Sequence, residues 1–305
     1  MNTIEQAALR LAQLRSAGVD ATSDTSTAST IATVEIDGTQ LAGADFDAPV
    51  RRRDAAAPKA EQAFASPRVE IDLERLAEVG YVTPHAPSSR RAEEFRMAKR
   101  PLLTNARGKS AAPVLNANRI MVTSSLPREG KTFVSINLAL SIAMERDTTV
   151  LLVDADVTRP AILARLGLPP SNGLLDVLSE TDLDVQTVLL RTNVERLSIL
   201  PAGTLQPQAT ELLASRSMSA LVDKLASRFP NRILLFDAPP LLGSTESRVL
   251  AAHMGQVVLV IEADRTPQRQ VTEALATLES CPVVMTLLNK ASSSEAGSYY
   301  GSRDS

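Results

Sequence analysis

A chain of 305 residues, 44% of them hydrophobic, is long enough for one large domain plus accessory segments, and 3% aromatic content without Trp leaves the packing to Ala, Leu, Val and Ile. The formal net charge of −3 lacks the basic excess of a nucleic-acid binder, and one cysteine with two histidines excludes an internal disulfide and a zinc-type cluster. No run approaches the roughly 20 apolar residues that span a bilayer, and the N-terminus does not read as a signal peptide, so the expectation is a cytoplasmic chain that meets a membrane only through a partner or a surface helix.

Residues 1–18 place Ile4, Ala7, Ala8, Leu11, Ala12 and Leu14 at helical spacing, with Glu5, Gln6, Arg10 and Arg15 opposite and Gly18 as the stop. This predicts a short amphipathic helix that docks on the chain's own domain or on a neighbour. Its polar face carries few cations, which makes a membrane-surface role the weaker alternative. Residues 19–88 are expected to be a flexible linker, because the Ser, Thr, Ala, Asp and Pro of its main part bury too little apolar surface to offset the entropy of ordering. The Arg51–Arg53 run inside it reads as a solvated charge cluster.

Residues 89–291 read as the folded domain. A helical stretch at Ser89–Lys99 leads into strands predicted at Arg119–Thr123, Thr149–Val153, Leu197–Leu200, Arg232–Phe236, Gln256–Ile261 and Val283–Asn289. Helices are predicted at Lys131–Met144, Ala209–Phe229 and Pro267–Glu279. Continuous apolar strands such as Val257–Ile261 are buried on both faces, which requires an α/β fold with a mostly parallel sheet and helices on both faces. Residues 292–305 are polar and are expected to be a flexible tail containing Tyr299 and Tyr300.

The segment Met121-Val-Thr-Ser-Ser-Leu-Pro-Arg-Glu-Gly-Lys-Thr-Phe133 is a strand, a loop and the start of an apolar helix. A helix start aims unpaired N–H groups and the positive end of its dipole into the loop, where a phosphate fits. Gly130 permits close backbone approach, Lys131 reaches the β- and γ-phosphates, and the Thr132 hydroxyl can ligate Mg²⁺. Ser125 stands where the general phosphate-loop pattern has its first glycine. Ser125, Glu129, Gly130, Lys131, Thr132 and Phe133 are therefore the expected nucleotide-binding set. Val150–Asp156 ends in two carboxylates at i and i+2, so Asp154 and Asp156 project together at the sheet's carboxyl edge, where open α/β sheets bind ligands. Asp237 ends Arg232–Phe236 in the same way. Each acid alone could cap a helix or turn; three behind a phosphate loop point to holding Mg²⁺ or its waters and to a base beside the γ-phosphate. Asn289 after the last strand either contacts adenine or ends the strand in a turn.

Together these residues resemble the bacterial tyrosine kinases, the P-loop proteins that regulate exopolysaccharide production. Ser124–Thr132 is similar to their Walker A loop, Val153–Asp156 to the acidic A′ motif and Leu235–Pro240 to Walker B; Leu200-Pro-Ala-Gly-Thr with Glu211-Leu-Leu213 resembles the segment leading to Walker B. The residues 1–18 and Lys99–Asn105 are similar to the exosortase-associated autokinase branch. The resemblance implies ATP and Mg²⁺, with Lys131 and Thr132 on phosphates and metal, Asp154 and Asp156 activating the tyrosine hydroxyl and positioning metal, and Asp237 on Mg²⁺ through water. It implies Tyr299 and Tyr300 as phosphoacceptors between subunits. It also implies a membrane-anchored polysaccharide chain-length-determinant protein as activator, recruiting the chain to the inner face of the membrane, and a homo-oligomer. The family's ring-forming E-x-x-R-x-x-R helix is matched by Glu93, Arg96 and Lys99, Lys replacing the last Arg.

Two positions depart from the family. Arg128 replaces a glycine, at a cost if φ is positive there and with a phosphate contact as the possible gain. Arg159 is offset by one from the arginine after the acidic pair, leaving an anion-binding role open. A ParA/MinD-like ATPase switch is a second reading, weakened by Leu126 where those proteins carry a second lysine. A nucleotide-binding adaptor of a membrane export complex is a third.

Overall fold

Short β-branched runs assemble into one eight-stranded sheet. In chain order the strands are β1 (Arg68–Val69), β2 (Arg119–Ser124), β3 (Thr149–Asp154), β4 (Leu190–Thr192), β5 (Leu197–Leu200), β6 (Arg232–Asp237), β7 (Gln256–Glu262) and β8 (Val283–Asn289). Across the sheet the order is β1-β4-β5-β3-β6-β2-β7-β8. Every neighbouring pair is parallel except β4 with β5. The computed structural model describes residues 66–180, 182–229 and 231–291. All lie in the second of the two units into which the chain divides, Ala60–Ser305. The expected N-terminal helix, the linker as far as residue 65, and the tail with Tyr299 and Tyr300 lie outside the described residues.

The two-residue period of each strand divides the core into two layers. Met121, Leu151, Val153, Leu234, Phe236, Val257 and Leu259 face one cluster, which the Leu174–Ser179 and Arg216–Arg228 helices help to close. Ile120, Val122, Val150, Leu152, Ile233, Leu235, Val258 and Val260 face the other. There the Lys131–Ala143 helix lies between the sheet and a further helix, Arg90–Ala106, which supplies Phe95, Leu102 and Leu103. That sandwiching explains why the Lys131 helix is buried nearly all round and mostly apolar, with Ser135, Asn137 and Ser141 as polar exceptions.

The expected linker is too long at its C-terminal end. Residues 66–88 contain β1, paired with β4, and a helix at Leu73–Glu78 capped by Asp72, whose carboxylate accepts from the Arg75 amide at 2.9 Å. Ile71, Leu76, Tyr81 and Val82 are buried in the core, and the Val82 amide donates to Asn137 Oδ1 on the Lys131 helix at 2.7 Å. Isolated apolar residues in a Pro-punctuated stretch carry little periodic signal, yet these four, with the β1–β4 pairing and the Asn137 hydrogen bond, fasten the segment.

Three helix expectations also change. The helix begun at Ser89 runs to Ala106 through Pro101, carried past the proline by the burial of Leu102 and Leu103. The single helix expected at 209–229 is two, Ala209–Leu213 and Arg216–Arg228, because the Ser215 hydroxyl accepts from the Met218 amide and starts a new helix. The ring-motif residues part company. Arg96 pairs with Glu93 within the helix, whereas Lys99 is buried, donating to the Ser141 carbonyl at 2.6 Å and pairing with Glu145 at 2.8 Å. Lys99 thus ties its helix to the C-terminal end of the Lys131 helix rather than facing outward with Arg96. Among the described residues no helix is long and apolar enough to cross a membrane.

Candidate active site

The central strands β3, β6 and β2 bring the site together at their carboxyl ends. In the parallel register Asp154 lies directly opposite Asp237, and Val122 opposite Asp237 on the other side. The loop after β2 therefore opens beside both acids, and it ends at Gly130, the N-cap of the Lys131 helix, with φ of 98°. Only glycine takes that conformation without strain, and a Cβ there would collide with the Asn289 side-chain amide. Gly130 offers no capping side chain. The first N–H groups of the helix are thus left for an anion, the arrangement expected of a phosphate site.

Lys131 is the meeting point. Its Nζ lies 2.6 Å from Asp156 Oδ2 and 3.8 Å from Asp237 Oδ1, and donates to the Thr132 hydroxyl at 3.4 Å. One ammonium thus links the phosphate loop to both strand ends. Ser135, one helical turn on, donates to Asp237 Oδ1 at 3.0 Å and fixes that carboxylate's rotamer. Sequence reasoning missed Ser135. The available signal was a hydroxyl at i+4 from Lys131 in a mostly apolar helix, where a buried polar side chain must find a polar partner.

Burial dominates the electrostatics. Asp154 is 1% exposed, and burial, with the Asp237 charge next in weight, pushes its carboxyl up to about 7. Asp237 is fully buried and also raised by burial, while the Lys131 ammonium and the Thr132 and Ser135 hydroxyls pull the other way. Asp154 Oδ2 accepts from the amides of Ala161 and Ile162, both at 3.1 Å, so it does cap the short Ile162–Leu166 helix. Its Oδ1 has no hydrogen-bond partner among the described residues; neither have Asp237 Oδ2 and Ser125 Oγ. Unpartnered buried oxygens beside a lysine and an uncapped helix start are what a cation and phosphate would satisfy.

The other expected residues are placed differently. Glu129 is buried and braces the loop from inside, its carboxylate accepting from the Leu126 amide at 2.7 Å and from the Thr266 hydroxyl. Asn289 donates to the Glu129 carbonyl at 2.8 Å, so in this structure its amide holds the loop. The Phe133 side chain packs on Tyr81, ring centroids 4.9 Å apart, and on Phe95, leaving only its backbone amide to the site. Arg128 has φ of 72°, so the strain foreseen for a non-glycine residue is present. Arg159 is exposed, and its amide donates to the Asp156 carbonyl.

The comparisons agree with this geometry. No family model matches the chain. The tyrosine-protein kinase YwqD of Bacillus subtilis (strain 168) is 30% identical over 190 residues, covering 61% of this chain and 78% of its own length. The succinoglycan biosynthesis transport protein ExoP of Rhizobium meliloti (strain 1021) is 30% identical over 226 residues, covering 70% of this chain. This chain spans only 27% of that longer relative. Among solved structures the VpsO kinase domain superposes with a TM-score of 0.52 and 30% identity, over 65% of this chain and 100% of that domain.

Proposed function

The chain belongs to the bacterial tyrosine-protein kinases, and on that premise we propose that it transfers the γ-phosphoryl group of ATP to tyrosine hydroxyls, those of its own tail included. The single observation that carries the reading is Lys131 Nζ held between Asp156 and Asp237 at an uncapped helix start.

In the reaction the tyrosine oxygen forms a bond to the γ-phosphorus, the bond from that phosphorus to the β,γ-bridging oxygen breaks, and ADP leaves. The hydroxyl proton passes to a carboxylate. Asp154 suits that base: its pKa near 7 lets it take a proton at neutral pH, and Oδ1 is uncommitted. Lys131 exchanges Asp156 for the β- and γ-phosphates, and the Gly130–Phe133 amides hold the triphosphate by its oxygens. Asp156, Asp237 and Thr132 fit Mg²⁺. Mg²⁺ takes one or two carboxylates together with phosphates and waters, and Asp156 and Asp237 with the Thr132 hydroxyl offer that kind of donor set. When bound, it supplies neutralisation of the charge on the transferred group.

We further propose Tyr299 and Tyr300 as acceptors, phosphorylated between subunits of a homo-oligomer. Tyr81, the remaining tyrosine, is buried against Phe133 and cannot serve without unfolding. A role in exopolysaccharide production extends to this chain what the Rhizobium relative's name, a succinoglycan biosynthesis transport protein, says of that protein; a membrane-anchored chain-length-determinant protein as activator, bringing the kinase to the inner face of the membrane, is proposed from the family resemblance alone.

Incubation with Mg·ATP followed by an antiphosphotyrosine blot tests the reading. Wild type is expected to give signal, and Lys131→Met and the double Tyr299→Phe/Tyr300→Phe variant to lose it. A mixture of the two variants regains it, the intact site of one serving the intact tail of the other. Signal retained in Lys131→Met removes the kinase reading, and signal retained in the double variant moves the acceptor elsewhere.

A further inference from the structure

The phosphate loop carries a left-handed Arg128, and the structure shows what holds it there. Lys290, the first residue after β8, donates from Nζ to the Arg128 carbonyl at 2.8 Å and pairs with Glu262 at the end of β7 at 3.1 Å. The preceding residue, Asn289, donates to the next carbonyl of the loop, that of Glu129, at 2.8 Å. Two consecutive side chains therefore grip two consecutive carbonyls across 162 and 160 positions of sequence. Drawing these carbonyls toward β8 fixes the orientation of the loop's peptide planes, including the one that presents the Gly130 amide. Lys290 is itself left-handed, with φ of 60°, so strained backbone stands at both ends of one hydrogen bond. A left-handed side-chain-bearing residue persists only when its surroundings over-determine it, and the Lys290–Glu262 pair supplies that determination.

We propose that Lys290 is a positioning residue of the nucleotide site: oriented by Glu262, it holds Arg128 in the left-handed conformation that a glycine at this place would adopt unaided. The inference rests on the reading that the loop binds triphosphate, and it concerns backbone geometry rather than contact with the nucleotide. It follows that the need for Lys290 disappears once residue 128 is glycine.

Calorimetric binding of Mg·ATP, with KM and kcat from tyrosine phosphorylation, tests it on the full chain. Lys290→Met is expected to weaken Mg·ATP binding and raise KM by about tenfold, the scale of a left-handed penalty, while kcat changes by about twofold or less. Adding Arg128→Gly to Lys290→Met is expected to restore binding to the level of wild type. Unchanged binding in Lys290→Met overturns the inference. So does a double variant as weak as Lys290→Met, which would mean that the ammonium acts on the nucleotide directly. If wild type takes up no Mg·ATP, the reading of the site itself fails and the inference falls with it.

Discussion

Asp154, proposed as the base, shows how one buried carboxyl also bears on stability. Its folded-state pKa, about 7 against an ordinary 3.8, means the folded protein holds this proton more tightly than the unfolded chain. Between those values the folded state binds more protons, so stability falls as pH rises and the penalty is complete above about pH 7. Asp154→Asn keeps an oxygen to accept from the Ala161 and Ile162 amides but carries no charge. It is expected to be more stable than wild type at pH 8 by on the order of 2–4 kcal/mol, with little difference below pH 4, as read by urea denaturation at the two pH values. Its phosphotransfer is expected to be lost. Equal stability across pH would show that the carboxylate does not carry its charge into a desolvated pocket.

The Lys131–Ala143 helix is the element on which the site depends, because its buried flank fixes where its uncapped start points. Its far end is anchored by Lys99, whose ammonium takes the Ser141 carbonyl and Glu145. Lys99→Ala is therefore expected to lower the stability of the chain itself by about 1–3 kcal/mol in thermal or urea unfolding, the Glu145 partner, 32% exposed, keeping the loss below that of a wholly buried pair. A variant with unchanged unfolding but altered association would return Lys99 to the ring-forming role that the sequence spacing suggests. Elements long enough to show a period were legible: the apolar run of β7 and the amphipathic Gln268–Ala276 helix fall where spacing placed them. Those set by one hydrogen bond were not. The break at Ser215 depends on a hydroxyl turning to the Met218 amide, and β1 and β4, of two and three residues, are too short for any alternation to register.

At the scale of the whole molecule, the parallel sheet is what makes a sequence motif into a site. Asp154, Asp156 and Asp237 could each be read as strand-end carboxylates from local pattern alone, and the register of β3 with β6 brings them to one edge beside the phosphate loop. That much was legible because strand ends and the Gly-Lys-Thr turn are local signals. The bracing of the loop by Glu129, Thr266, Asn289 and Lys290 was not, since those contacts join residues more than a hundred positions apart and leave no trace in spacing. Nor was the folding of residues 66–88 onto the Lys131 helix, which depends on four apolar side chains in a polar stretch. The central claim is that a triphosphate and its metal sit over the start of the Lys131 helix. Its most direct test is a crystal grown with ATP and Mn²⁺, the manganese located by its anomalous scattering. The manganese peak is expected within bonding distance of Thr132 Oγ1 or of waters held by Asp156 and Asp237, with phosphate oxygens on the Gly130–Phe133 amides. Nucleotide density elsewhere on the molecule, or manganese remote from those carboxylates, would contradict it.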